Sequence, residues 1–292
     1  MKTDRTTTEG AVNSRNAAAA APVGIASDDE RRPAEFVEAL AKGIAVLECF
    51  DASHAEMTLS EIARRVGLSP AAARRSLITL QALGYIGQKS KRFHLTPKIM
   101  TLGSAFYFSA RIDEVLLPDL RELVERFGDA SSVGTLDGHD VIYIAHYSVQ
   151  RARRAAAVVG ARYSASSTSL GRVLLAGLSD DALKRYIDTF KAEPLTSRTI
   201  TDPQELHREV LKVRENGYST TVDQLDYGIT ALAVPIRDPD GKTIAALNTS
   251  GYTGLVTPES LVAERLPELR AAASRISHAI SRYPILQSII GT

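Results

Sequence analysis

"LSEIARRVGLSPAAARRSLITLQALGYI" (Leu59–Ile86) holds two short helical patterns joined by Gly67-Leu68-Ser69. In the first, Ser60 stands where a cap is wanted and Ile62, Ala63 and Val66 fall on one side. Gly67 then supplies the left-handed residue on which helices commonly stop. The second opens on Ser69-Pro70, a serine hydroxyl for the orphan N–H groups and a proline suited to the first helical position. Ala73, Leu77 and Leu80 form its inward face, while Ala71, Ala72, Arg74, Arg75, Ser76 and Thr79 lie off it. Little bulk near the backbone, with cations and hydroxyls at reach, is what lets a helix enter a groove of DNA.

Working outward, "YIGQKSKRFHLT" reads as two short strands, Tyr85 to Gln88 and Phe93 to Thr96, around a Lys89-Ser90-Lys91-Arg92 tip. That is a basic wing. Upstream, "EFVEALAKGIAVLECF" spaces Phe36, Leu40, Ile44, Leu47 and Phe50 by three or four, which predicts an amphipathic helix backing the other two. Arg64, Arg65, Arg74, Arg75, Lys89, Lys91, Arg92 and Lys98 stand against Glu61, a cluster suited to neutralising phosphates. The predicted DNA contacts are Ser69, Ala71, Ala72, Arg74, Arg75, Ser76 and Thr79 on the helix and Lys89, Lys91 and Arg92 on the wing. Their expected partner is double-stranded operator DNA.

The whole chain has 292 residues and a net charge of +1, so it accommodates two modest cores and is not basic along its length. One cysteine, Cys49, excludes an intramolecular disulfide framework and fits a reducing cytoplasm. No apolar run approaches the roughly 20 residues of a membrane span, so no membrane partner is expected. The expected organisation is a disordered tail over 1–33, a winged helix-turn-helix domain over 34–96, a linker helix over 97–111 and an effector-binding domain over 112–292.

In that last domain, alternating strands flank Asp137-Gly138, a hairpin signal, and "AAAVVGARYS" (155–164) reads as a further strand. Helices follow at "TSLGRVLLAGL", "DDALKRYIDTF" and "DPQELHREVLKVRENG", then strands at "YSTTVDQLD", "TALAVPIRD" and "KTIAALNTSGYT", and a closing helix from Thr257 to about Tyr283. Hairpin-linked strands with helices in separate blocks predict the α+β class and an antiparallel sheet.

The stretches "FVEALAKGIAVLECF", "LSEIARRVGLSPAAARRSLITLQALGYI", "TSLGRVLLAGL" and "ENGYSTTVDQLDYGITALAVPIRDPDGKTIAALNTSG", in this order, resemble those of IclR-type bacterial transcriptional regulators from about Glu35 to Tyr283. The resemblance implies a winged-helix domain, a linker helix and a GAF-like domain that binds a small organic acid, assembled as a homodimer or a dimer of dimers. "VGARYSASSTSLGRVLLA" is also similar to the branch answering protocatechuate or 4-hydroxybenzoate, which usually reads Leu-Pro where this chain has Tyr163-Ser164.

For such an acid, "SSTSLGR" offers the hydroxyls of Thr168 and Ser169 at a helix start, where free N–H groups and the helix dipole favour a carboxylate. Simple capping by either hydroxyl is the plainer reading, and both can hold together. Alternation puts Asn248 and Ser250 on one strand face. By the resemblance that face looks into the pocket, with Ile229 and Ala231 beside it and Thr221 opposite. Arg162, Tyr163 and Leu170 complete the predicted effector set, with Arg162 an alternative partner for the carboxylate. Arg172 is expected to bind the domain's own carboxylates, and Arg153 and Arg154 to be solvated.

The six histidines make no metal-ligand spacing, and there is no G-x-S-x-G elbow, P-loop or G-x-G-x-x-G helix start. Neither a cofactor, nor a metal, nor catalysis is expected. Two other classes stay open at this point: an enzyme acting on an aromatic acid beneath a DNA-binding head, and an architectural DNA-binding protein without an effector.

Overall fold

The computed structural model describes residues 33–149, 157–283, 286 and 290. All of the predicted tail but Pro33 lies outside the described residues, as do Arg153 and Arg154. The chain divides into two compact units, the first ending at His94 and the second beginning at Leu95.

The first unit contains helices α1 (Glu38–Glu48), α2 (Leu59–Arg65) and α3 (Pro70–Ala82). It also contains a three-stranded sheet of β1 (Met57–Thr58), β2 (Ile86–Lys89) and β3 (Arg92–Leu95) in the order β1-β3-β2. Helix α2 is capped by Thr58, not by Ser60: the Thr58 hydroxyl accepts from the Glu61 N–H at 3.4 Å and the Glu61 carboxylate accepts from the Thr58 N–H at 2.7 Å. That reciprocal pair satisfies two orphan donors, which a serine one turn inside cannot do. Gly67 (φ 67°) closes the helix in the left-handed region. Ser69 caps α3, its hydroxyl accepting from the Ala72 N–H at 3.3 Å.

Helix α1 departs from its predicted face. Ala45, Val46 and Cys49 are buried, whereas Leu40 (62% exposed) and Ile44 (46%) are open, together with Phe36 and Val37. The small Ala45 and Val46 allow α1 to approach α3 closely, and the bulkier stripe is left outward. Burial pushes the Cys49 thiol up to about 11, and it donates to the Val46 carbonyl at 3.1 Å.

The second unit opens with a 3-10 turn (Pro97–Ile99) and α4 (Met100–Ser109), followed by α5 (Ile112–Val115) and α6 (Leu117–Phe127). Its sheet is β4 (Ala130–Asp137), β5 (Asp140–Ser148), β6 (Arg162–Ser164), β7 (Ser219–Val222), β8 (Ile229–Arg237) and β9 (Thr243–Tyr252). The order is β6-β5-β4-β9-β8-β7 with antiparallel pairing throughout. The strand predicted over 155–164 shrinks to Arg162–Ser164, because the described residues before it turn through Gly160 (φ 86°) to bond Tyr143. Helices α7 (Ser169–Ala176), α8 (Asp180–Thr189), α9 (Pro203–Asn216) and α10 (Pro258–Ser281) complete the unit.

Two apolar clusters cover the two faces of this sheet. Leu120 and Leu123 of α6 and Leu269, Ala272 and Ile276 of α10 pack on Val133, Val234 and Leu247. On the other face Leu170, Val173 and Leu174 of α7, with Leu206 and Val210 of α9, pack on Val141, Ala233 and Ala246.

Candidate functional site

The outward face of α3 is as the spacing of its apolar residues requires. Ala71, Arg74, Arg75 and Thr79 are exposed, Ser76 and Ala72 half-buried, and Leu77 and Leu80 buried. The wing tip is exposed at Lys89 and Lys91 and turns through Ser90 (φ 56°), whose carbonyl accepts from Gln88 Nε2 at 2.7 Å. Two members of the predicted basic cluster are held by their own unit instead. Arg92 donates to the Glu56 carbonyl at 3.0 Å and lies 3.7 Å from Glu61 Oε2, while Arg65 pairs with Asp51. Arg92 therefore also braces its own unit, opening β3 opposite Thr58 beside the Glu61 cap, while its side chain stays half exposed.

On the second unit, α7 marks the sheet face on which the effector residues are expected. An ideal Cβ on Gly177 would lie 2.5 Å from Thr243 Cβ, and one on Gly134 would lie 3.5 Å from Leu170 Cδ1. Gly134 pairs with Ala246, so along β9 from Thr243 toward Ser250 the helix runs from its C-terminus to its N-terminus. The start of α7, with Thr168 and Ser169, therefore points toward Asn248 and Ser250. Thr168 caps it, accepting from the Gly171 N–H at 3.0 Å and donating to the Ser164 carbonyl at 3.2 Å. Ser169 Oγ is buried and has no hydrogen-bond partner.

Beyond the helix start the sheet presents two cross-strand rows. His146, Ser132, Asn248, Ala233 and Ser219 form the first, and Ser148, Ala130, Ser250, Ala231 and Thr221 the second. Asn248 Oδ1 accepts from the Ser132 N–H at 2.9 Å, which fixes the amide and turns its NH2 to donate elsewhere. Ser132 Oγ meets His146 Nδ1 at 2.9 Å, and His146 Nε2 lies 3.3 Å from Ser148 Oγ. Burial lowers the pKa of His146 and raises that of Tyr163. Tyr163 packs against Tyr143 with ring centroids 4.8 Å apart, an aromatic wall beside the rows.

The register places Thr221, Ala231, Asn248 and Ser250 on one face of the sheet, with Ile229 at the margin opposite Tyr252, Thr168 and Ser169 opening α7 over that face, and Tyr163 on the far edge strand against Tyr143. One predicted residue falls away. Arg162 alternates to the far side of β6 and pairs with Asp137 Oδ2 at 2.6 Å and Asp140 Oδ2 at 3.2 Å, so its charge is already met. Leu170 is buried beside Ser169, over the same face of the sheet. Ser132 and His146 were not predicted. Alternation alone places each on a face, but which face requires the register of β4 against β5 and the bulge at Val133/Gly134.

A separate open groove of about 460 Å³ runs past β7 and is lined by Arg172, Arg198, Thr199, Glu205, Glu209 and Thr221, among others. Thr221 alone of the predicted set lines it. Arg172, 2% exposed, donates through Nε to the Ser166 carbonyl at 3.1 Å and through Nη2 to Gln224 Oε1, so its bonds go to an amide and a carbonyl, not to carboxylates. Desolvation brings its pKa down to about 10, against the pull of Glu209 and Glu205. It ties the start of α7 to the β7–β8 loop. Among the described residues no group of three or more His, Cys, Asp or Glu is placed to hold a metal ion, and no helix is long and apolar enough to cross a membrane.

Comparison with known proteins agrees in both units. Residues 39–90 match the family described as the IclR helix-turn-helix domain, and residues 106–278 the family described as bacterial transcriptional regulator IclR C-terminal. The chain is 35% identical over 269 residues to the Pca regulon regulatory protein of Pseudomonas putida, covering 90% of this chain and 92% of that one. Its fold is similar to that of a transcriptional regulator from Rhodococcus sp. RHA1, with a TM-score of 0.70 and 39% identity over 85% of this chain and 99% of that one. It is also similar to a double mutant of the PobR inducer-binding domain from Acinetobacter, solved with 3-hydroxybenzoic acid (TM-score 0.51, 31% identity, 56% of this chain and 96% of that one).

Proposed function

Because this chain belongs to the IclR family of bacterial transcriptional regulators, we propose that it binds operator DNA through α3 and the wing and answers a small aromatic carboxylate of the hydroxybenzoate type in the effector unit. It is a regulator rather than an enzyme, and it works in the cytoplasm on aromatic catabolism genes. The observation that carries the effector reading is the Asn248 amide, whose oxygen is taken by the Ser132 N–H so that its NH2 is left as the donor on this face of the sheet. The unpartnered Ser169 hydroxyl supports the same place. A buried polar group left unsatisfied costs about 1–3 kcal/mol, and a ligand oxygen at the helix start relieves it. The dipole of α7 favours that oxygen being a carboxylate, while Tyr163 and Tyr143 suit the ring. The bound 3-hydroxybenzoic acid of the PobR domain supports the class.

The working assembly is a homodimer or a dimer of dimers. Val37 at the cap of α1, Leu40 and Ile44 on α1, and Met100, Leu102 and Phe108 on α4 are large apolar side chains left exposed in the single chain. A second copy is the partner that covers them, and a two-fold dimer places two α3 helices on two half-sites. Sedimentation of the full chain tests this, and a monomer at micromolar concentration overturns it.

The effector reading is tested by a thermal-shift screen of benzoates and hydroxybenzoates, since a ligand of the folded state raises the melting temperature by mass action. Recovery of the acid unchanged distinguishes a sensor from an enzyme. If no aromatic acid shifts the transition, the effector class is wrong. The DNA reading is tested separately: Arg74→Ala with Arg75→Ala is expected to abolish the electrophoretic shift at fixed salt without loss of helicity.

A further inference from the structure

Positions 71, 74, 75 and 78 of α3 are spaced i, i+3, i+4 and i+7 and share one side of the helix. This is the spacing by which recognition helices present base-reading side chains. Three of the four, Ala71, Arg74 and Arg75, belong to the DNA face already described. The fourth, Ile78, is 53% exposed, although its neighbours Leu77 and Leu80 are 1% and 7% exposed. An aliphatic side chain here is flanked by two guanidinium groups without side-chain partners among the described residues. Thr79 adds little polarity, because its hydroxyl donates back to the Arg75 carbonyl at 3.1 Å.

Gln81 at the edge of this face spends its amide N–H on Gln88 Oε1 at 3.3 Å, and the remaining Ala71, Arg74, Arg75, Ile78, Thr79 and Ala82 offer no amide to bracket adenine and no carboxylate to accept from cytosine. The two chemistries of the face are guanidinium, which pairs with the O6 and N7 of guanine, and aliphatic surface, which meets the C5-methyl of thymine in the major groove. We propose that Ile78 reads the C5-methyl of a thymine in each operator half-site, next to a guanine held by Arg74 or Arg75. The flanking cations make DNA the occupant of this apolar spot, since a protein core against it would strand both charges. The inference rests on α3 being the DNA-reading helix.

The test uses the full chain and an operator selected by it from random-sequence DNA. Each thymine of the half-site is replaced in turn by deoxyuridine, which removes only the methyl group. One replacement per half-site is expected to weaken wild-type binding by about three- to tenfold, the scale of one methyl group taken from water. With Ile78→Ala, whose exposed position leaves the fold intact, the same replacement has no further effect; with Ile78→Val part of the penalty returns. A methyl penalty of equal size in wild type and Ile78→Ala overturns the proposal, as does no penalty at any thymine. A change in sedimenting mass of Ile78→Ala, without any coupling to the methyl, overturns it too by placing Ile78 at a contact between protein chains. Unaltered DNA binding by the Arg74→Ala, Arg75→Ala double variant is a different failure, that of the helix assignment itself.

Discussion

The two faces of the six-stranded sheet are built from the same strands and end differently. On one, α10 runs the 24 residues from Pro258 to Ser281 and with α6 covers the apolar side chains of β4, β5, β8 and β9. On the other, α7 is 8 residues long and stops before Asn248. Strand β9 records the difference: Ala245, Leu247 and Thr249 alternate toward the long helix, and Ala246, Asn248 and Ser250 toward the short one. Thr249 is polar on the covered face, but Arg265 of α10 donates to it at 3.1 Å and pairs with Asp129 at 3.0 Å, so the need is met inside the protein. Asn248 and Ser169 keep donors in hand. Under α10 the polar group is met inside the protein, and on the proposed reading the donors beyond the start of α7 are left for a ligand.

Breaking the covered face has the largest expected effect. The Arg265 and Asp129 side chains are 7% and 12% exposed, so Asp129→Ala leaves a buried cation uncompensated and is expected to destabilise the unit by about 3–5 kcal/mol. Urea unfolding measures this, and effector affinity of the folded fraction should not change.

On the open face the balance inverts. Asn248→Ala is expected to lower effector affinity by about ten- to a hundredfold, the equivalent of roughly 1.5–3 kcal/mol for a charge-assisted hydrogen bond, with a smaller change in unfolding free energy. Calorimetry with 4-hydroxybenzoate checks it; an intact affinity would move the ligand away from the sheet rows.

His146 gives a smaller, pH-dependent effect. Burial holds its pKa below the ordinary 6.5, so in the window beneath that value the unfolded chain binds a proton more readily than the folded one. Its contribution to stability is full above about pH 6.5 and is lost as pH falls toward the folded value. His146→Gln should flatten the acid side of the stability curve, as seen in melting temperatures between pH 5 and 7.

The least effect is expected at Arg162, whose ion pairs with Asp137 and Asp140 are partly solvated. Arg162→Ala should alter stability by about 0–1 kcal/mol and leave effector affinity unchanged in the same calorimetric titration.

Much of the winged unit was legible because its signals are local: Ser69-Pro70, Gly67 and the Leu77/Leu80 spacing each act within one turn. Its errors arose where two residues compete for one job. Thr58 and Ser60 are both capping residues, and the carboxylate of Glu61 decides between them by lying three residues after Thr58. On α1 the large stripe of Leu40 and Ile44 outweighed the smaller Ala45/Val46 stripe in the pattern, yet the smaller one packs. In the effector unit Asn248 and Ser250 were readable as a shared face by alternation, and the resemblance supplied the side. Ser132 and His146 were not, since their meeting depends on pairing between strands. Arg162 misled because a cation beside a hydroxyl-rich helix start is a natural acid ligand, and only the hairpin geometry reveals the two aspartates already holding it.

Gly171 limits how such a sensor changes its chemical preference. A methyl group at that position would lie 2.1 Å from the Ala165 carbonyl oxygen and 2.2 Å from its Cα, against backbone that has nowhere to go. The turn preceding α7 and the helix start are thus locked together, and variation there moves the anion-binding end as a block or breaks it. Ser250, half-buried at the end of the second row, is the member of the sheet floor with the most room for exchange, whereas Ala231 and Ala233 are buried. On the proposed reading, laboratory evolution toward a new inducer has its freedom in the sheet floor, and the carboxylate is the part of the molecule that a successful inducer is expected to keep.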